Sequence, residues 1–124
     1  MTDTMDHAAA VADLDAKATR LTTPCGDGEM IWRKWGDGPP LVCLHGSFGS
    51  WTHWIKNIPA LSQTYGVFIP DLPGLGDSAV PPEPHSFQGL GRIVAEGLER
   101  LLPKDQRYDI TGFSFGASLA GHAA

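Results

Sequence analysis

Tyr108-Asp109-Ile110-Thr111-Gly112-Phe113-Ser114-Phe115-Gly116 carries a short strand-like run into a serine bracketed by glycines, and a helix is expected from Ala117 onward. A serine between a strand end and a helix start sits on a tight, strained turn that lifts its hydroxyl off the sheet toward substrate and a base. Backbone crowds such a turn from both sides, so the neighbours two residues away must be small. Gly112 and Gly116 meet that need. The helix start beyond presents free N–H groups and a partial positive charge to a nearby oxyanion. With 15 glycines in 124 residues the pattern alone is weak, and its context carries the weight. The bland alternative is a glycine-rich β-α turn with an incidental serine.

Upstream, Pro40-Leu41-Val42-Cys43-Leu44-His45 is a continuous apolar run, as in a strand covered on both faces. His45-Gly46-Ser47-Phe48-Gly49 follows it. In an acyl-transfer site the second oxyanion N–H comes from a neighbouring strand-end loop, where glycine lets backbone approach substrate. The Ser47 N–H is the first choice and Phe48 the reserve. His45 is read as structural, its side chain holding the loop by hydrogen bonds. Ser50 is placed to cap a helix with Trp51, Trp54, Ile55 and Ile58 on one face, which Pro59 kinks, or Pro59 starts a second short turn with Leu61.

Gly66–Pro70 is a second buried-type strand, and Asp71–Pro84 a loop stiffened by proline and glycine. That loop could line a pocket, but nothing in it demands chemistry. Its Gly74-Leu75-Gly76 lacks the third glycine and the helix of a dinucleotide fingerprint, which excludes a nucleotide site. Ser86 opens the strongest helix. Leu90, Ile93, Val94, Leu98, Leu101 and Leu102 share a face with Phe87, and Pro103 follows. Gly89, Gly91 and Gly97 each weaken that helix by about 1 kcal/mol relative to Ala, so packing must supply the rest.

Toward the N-terminus, Cys25-Gly26-Asp27-Gly28 is a turn between Leu21–Thr23 and Glu29–Trp35. In the latter, Met30, Trp32 and Lys34 point one way and Ile31, Arg33 and Trp35 the other, which suits an exposed antiparallel strand. Residues 1–20 form an acidic, Ala-rich extension. Val11 and Leu14 give it a thin apolar face, so it is expected to fray or dock loosely. The fold class is α/β: a β-hairpin followed by βαβαβα with a mainly parallel sheet, over residues 21–124. The last helix has only begun at Ala124, so this domain is expected to be incomplete at its C-terminus.

Composition is that of a globular chain, 42% apolar and 19% charged. A net charge of −5 argues against gripping a nucleic-acid backbone. Residues 1–19 hold −3 of that charge, where Asp3, Asp6, Asp13 and Asp15 face only Lys17. Two cysteines, Cys25 and Cys43, are too few for a disulfide scaffold, and no Cys/His cluster suggests zinc. No apolar run is long enough to span a membrane, and no secretory signal opens the chain, so a cytoplasmic location is expected.

His45-Gly46, Asp71-Leu72-Pro73-Gly74-Leu75-Gly76-Asp77-Ser78 and Gly112-Phe113-Ser114-Phe115-Gly116, in that order, resemble the N-terminal half of the α/β-hydrolase fold family, serine-nucleophile type. The resemblance implies a nucleophile at Ser114 and oxyanion donors at the N–H groups of Ser47 and Phe115. It implies no metal or organic cofactor, and a small-molecule apolar acyl substrate. Ser114 argues against the epoxide- and haloalkane-hydrolysing members, which carry Asp at that position. In the family the acid and the catalytic histidine follow later strands. None of His7, His45, His53, His85 and His122 stands in the base position, so these 124 residues alone are expected to be inactive. An acyltransferase or C–C bond hydrolase would share the scaffold, and a non-catalytic binding protein would keep the turn only as architecture. Phe48, Trp51, Trp54 and Phe115 suit either an apolar pocket mouth or the core. Oligomeric state is left open.

Overall fold

Apolar runs and turn residues set out nine elements among the described residues. A computed structural model describes residues 3–46, 49–81, 86–112 and 116. In chain order these hold helix α1 (Asp3–Lys17) and strands β1 (Thr19–Cys25), β2 (Gly28–Trp35) and β3 (Pro40–Leu44). A 3-10 turn (Trp51–Trp54), helix α2 (Ile58–Leu61), strand β4 (Gly66–Pro70), helix α3 (Phe87–Leu101) and strand β5 (Asp109–Gly112) follow. One mixed sheet runs β1-β2-β4-β3-β5. The β1–β2 hairpin is antiparallel, and β2 pairs antiparallel with β4. Strand β3 lies parallel to both β4 and β5. The structure has the α/β architecture expected from the sequence, with the hairpin as an antiparallel wing on the parallel part.

Side-chain alternation along the strands sorts the core into two faces. Met30, Trp32, Val42, Leu44 and Phe68 bury against Val94, Leu98 and Leu102 of the α3 segment. Ser86 caps α3, its Oγ accepting the Gly89 N–H at 2.9 Å. Gly97 has a packing reason: a Cβ there would lie 2.9 Å from Thr23 Oγ1 and 3.0 Å from the Trp32 ring. The missing side chain lets α3 settle onto the hairpin. On the opposite face Trp35, Leu41, Cys43, Val67 and Ile69 bury against Leu14, Trp51, Ile55 and Ile58.

Three expectations change or sharpen. Strand β2 is not exposed: it lies between β1 and β4, and Met30, Trp32, Arg33 and Trp35 are all buried. The alternation does sort these residues to the two faces, but Arg33 is buried because buried Asp71 and the surface carboxylates of Asp15 and Asp77 close around it. Helix α1, expected to fray or dock loosely, is docked by specific contacts. Its Leu14 is buried, the Leu14 carbonyl accepts the Trp35 indole N–H at 2.8 Å, and Asp15 accepts the Arg33 Nε–H at 2.8 Å. Polar anchors replace the apolar stripe it lacks. The helix expected from Ser50 is a 3-10 turn that ends at Trp54, and the second short turn that the sequence allowed at Pro59 and Leu61 is helix α2. Ser50 does cap its start, but Pro59 lacks an N–H and its ring would clash with the carbonyl four residues back. A 3-10 turn and a separate short helix result.

Candidate active site

Parallel strands deliver their C-terminal ends to one edge of a sheet, where α/β proteins bind ligands. Here Leu44 of β3 is in register with Gly112 of β5, so the two strands end side by side. Gly116 is helical and buried. A Cβ on it would lie 2.3 Å from the His45 carbonyl oxygen and 2.5 Å from that of Leu44. No side chain fits there, and glycine lets the backbone at 116 rest on the exit of β3. Gly112 closes β5 on the near side, half-buried. Ser47, Ser114 and Phe115, with Phe48 and Phe113, lie outside the described residues.

His45 is fully buried. Its Nε2 accepts the Leu72 backbone N–H at 2.9 Å, and its Nδ1 lies 2.7 Å from the Gly46 carbonyl. An amide can only donate and a carbonyl can only accept, so the neutral ring carries its proton on Nδ1. Burial pushes its pKa down, outweighing the Gly46 hydrogen bond and the nearby Asp71. The ring ties the exit of β3 to the exit of β4. With both nitrogens engaged, it has none to offer as a base.

Asp71 performs the matching task after β4. Its buried carboxylate accepts the backbone N–H groups of Trp51 and Asp77, each at 2.9 Å. Arg33, also buried, reaches it at 3.3 Å and binds Asp15 at 2.8 Å and Asp77 at 2.9 Å. The Arg33 guanidinium lies 5.0 Å from the Trp51 ring centroid. Burial opposes its charge, but hydrogen bonds to Asp15 and Asp77 and the field of Asp71 win, holding its pKa above the ordinary value. Hydrogen bonding to Arg33 holds the Asp77 carboxyl below the usual range against a burial penalty. Ser78 Oγ donates to the Asp71 carbonyl and accepts the Ile31 N–H. The loop after β4 therefore has a framing role where the sequence suggested only a pocket lining.

Other groups fall away from chemistry. Cys25 and Cys43 are buried free thiols, and burial pushes Cys43 up to about 12, too high for a thiolate nucleophile. Trp51 belongs to the core, and Trp54 packs partly buried against it. An open cavity of about 570 Å³ between the end of α3 and Tyr108 lies at the opposite end of β5, away from the loops described above. Among the described residues no helix is long and apolar enough to cross a membrane.

The alpha/beta hydrolase fold family matches residues 39–124. This chain belongs to that family. A soluble epoxide hydrolase of Corynebacterium sp. (strain C12) is 37% identical over 89 residues, which cover 72% of this chain and 30% of that protein. A pimeloyl-acyl-carrier-protein methyl ester esterase of Vibrio parahaemolyticus is 32% identical over 95 residues, covering 77% of this chain and 34% of the esterase. Among solved structures, a ligand-free epoxide hydrolase, CorEH, superposes with a TM-score of 0.76 at 32% identity, over 85% of this chain and 36% of its own. The chain thus spans about a third of the length of these alpha/beta hydrolase relatives.

Reading the sequence missed Arg33, Asp15, Asp77 and the framing role of Asp71. A signal was present in part. Arg33 lies between Trp32 and Trp35 in a strand with apolar residues on both faces, and Asp71 directly follows a wholly buried strand. A charge in either place needs a buried partner.

Proposed function

We propose that Ser114 is the nucleophile of a hydrolase that attacks an activated acyl carbon and passes through an acyl-enzyme. One observation carries this reading: the missing side chain of Gly116 lets its backbone rest on the carbonyls of Leu44 and His45. That contact supports a nucleophile at 114 acting beside oxyanion donors from the segment after β3. The Ser114 hydroxyl adds to the acyl carbon and gives its proton to a base. The leaving group departs, and water then cleaves the new ester bond. The N–H groups of Ser47 and Phe115 receive the tetrahedral oxyanion, each contributing about 2.7–4 kcal/mol to lowering the barrier.

The relatives include both an epoxide hydrolase and a methyl ester esterase. The residue at 114 favours the second chemistry, because a serine suits acyl transfer. Residues 21–124 would form the N-terminal part of the hydrolase domain, with residues 1–20 as an added docked segment. The remaining triad members would lie elsewhere in the full-length protein, so the 124 residues alone are expected to show no turnover. A cytoplasmic location is part of the same proposal and accords with two unpaired, buried cysteines.

The test uses the full-length protein, with whatever follows Ala124 in its gene. Hydrolysis of p-nitrophenyl butyrate is expected, and Ser114→Ala should lower kcat/KM by at least about a thousandfold. Undiminished hydrolysis by Ser114→Ala would overturn the assignment. So would a protein that opens styrene oxide and leaves the ester untouched.

A further inference from the structure

We propose that His53 is a positioning residue for the loop after β3, holding the backbone that presents the oxyanion donor. This rests on the reading of that loop given above. His53 lies in the 3-10 turn, two residues beyond Trp51, whose own N–H is fixed by Asp71. Its Nδ1 lies 3.1 Å from the Gly46 nitrogen and accepts the N–H. The Gly46 carbonyl meanwhile faces His45 Nδ1 at 2.7 Å and accepts the Gly49 N–H at 3.2 Å. Two imidazoles therefore hold both ends of one glycine. They meet edge to face, with centroids 5.8 Å apart and planes at 85°.

The same ring also covers the far end of the turn. A Cβ on Gly49 would lie 2.1 Å from His53 Cε1, so the imidazole rests directly on Gly49. One side chain thus spans the Gly46–Gly49 turn, gripping its first N–H and covering its last residue. A trans peptide is planar, so fixing a carbonyl also fixes the direction of the amide hydrogen that follows it. The Gly46 carbonyl is fixed by His45, and the approach to it is fixed by His53. His45 thus holds the peptide unit that contains the proposed donor, and His53 holds the peptide unit before it. A donor that is already aimed needs no reorganisation when charge develops.

His53 is exposed, unlike His45. Removing its acceptor opens no core cavity, so a loss of activity in a folded variant would report on the loop. A phenyl ring keeps the cover over Gly49 but cannot accept the Gly46 N–H. The side-chain oxygen of asparagine stands about where Nδ1 does, and can.

The experiment compares wild type, Ser114→Ala, His53→Phe and His53→Asn in the full-length protein. It reads p-nitrophenyl ester kinetics, and deuterium exchange in the peptide containing Gly46. His53→Phe should lower kcat at least about tenfold with KM within about threefold, and should speed exchange. His53→Asn should restore kcat to within about threefold of wild type and return the protection. Wild-type kcat in His53→Phe, an asparagine variant as poor as the phenylalanine one, or lost activity with unchanged exchange each overturns the proposal. Should Ser114→Ala stay active, the underlying nucleophile assignment fails and takes this inference with it. A dead Ser114→Ala beside a fully active His53→Phe overturns this inference alone.

Discussion

The face of the sheet under α3 and the face under α1 and α2 both bury large apolar side chains, yet among the described residues only the second takes in a charge. Under α3 the fit is steric: Gly97 gives up a side chain so that the helix can reach Trp32 and Met30. On the other face Arg33 sits among Asp15, Asp71 and Asp77 and covers Trp51. Apolar burial is non-directional and decides which side a helix covers. Hydrogen-bonded charge is directional and fixes where a loop goes. The loops beside the proposed nucleophile depend on the second kind of contact.

The largest expected effect comes from breaking the charged face at its centre. Asp71→Ala leaves the Trp51 and Asp77 N–H groups without their acceptor and removes a carboxylate from buried Arg33. A loss of about 3–5 kcal/mol in urea unfolding is expected. A loss below about 1 kcal/mol would mean that the site is wet and the network is not structural.

An intermediate effect is expected on the apolar face. Gly97→Val forces methyl groups into space already filled by Thr23, Trp32 and Met30, and should cost about 1–3 kcal/mol through displacement of α3. Because the strain is steric, the loss should not depend on salt. A neutral or stabilising Gly97→Val would show that the helix can slide freely over the hairpin.

Acid gives the smallest effect and sharpens the contrast, since it acts on His45 and the charged network. The His45 pKa is lowered in the folded protein from an ordinary 6.5. The unfolded chain therefore takes up a proton near pH 6.5 that the buried ring refuses, and stability falls as pH drops below that point. Asp77 is lowered from 3.8, so its contribution is present above pH 3.8 and is lost as pH falls further. Urea midpoints across this range should decline in those two windows. Flat stability from pH 7 down to pH 5 would contradict a buried, neutral His45.

What was legible in the sequence was local. The buried runs of β3 and β4, the Ser86 cap and the Pro103 stop each lie within a few residues of the structure they specify. The alternation in β2 sorted its side chains to the correct faces. The burial of Arg33 was hidden because its partners lie 18, 38 and 44 residues away in sequence. The specific contacts that dock α1 were hidden for the same reason, since its anchors Trp35 and Arg33 belong to another element. At the candidate site, the glycine-bracketed serine was readable from its own neighbours. The contact of Gly116 with the exit of β3, and the hold of His53 on Gly46, join elements that the sequence keeps apart.

Covalent labelling of the full-length protein with a fluorophosphonate, followed by peptide mass analysis, tests the nucleophile assignment most directly. One label per chain on the peptide containing Ser114, absent in Ser114→Ala, is the expected result. A protein that hydrolyses the ester but is labelled elsewhere, or not at all, would contradict it.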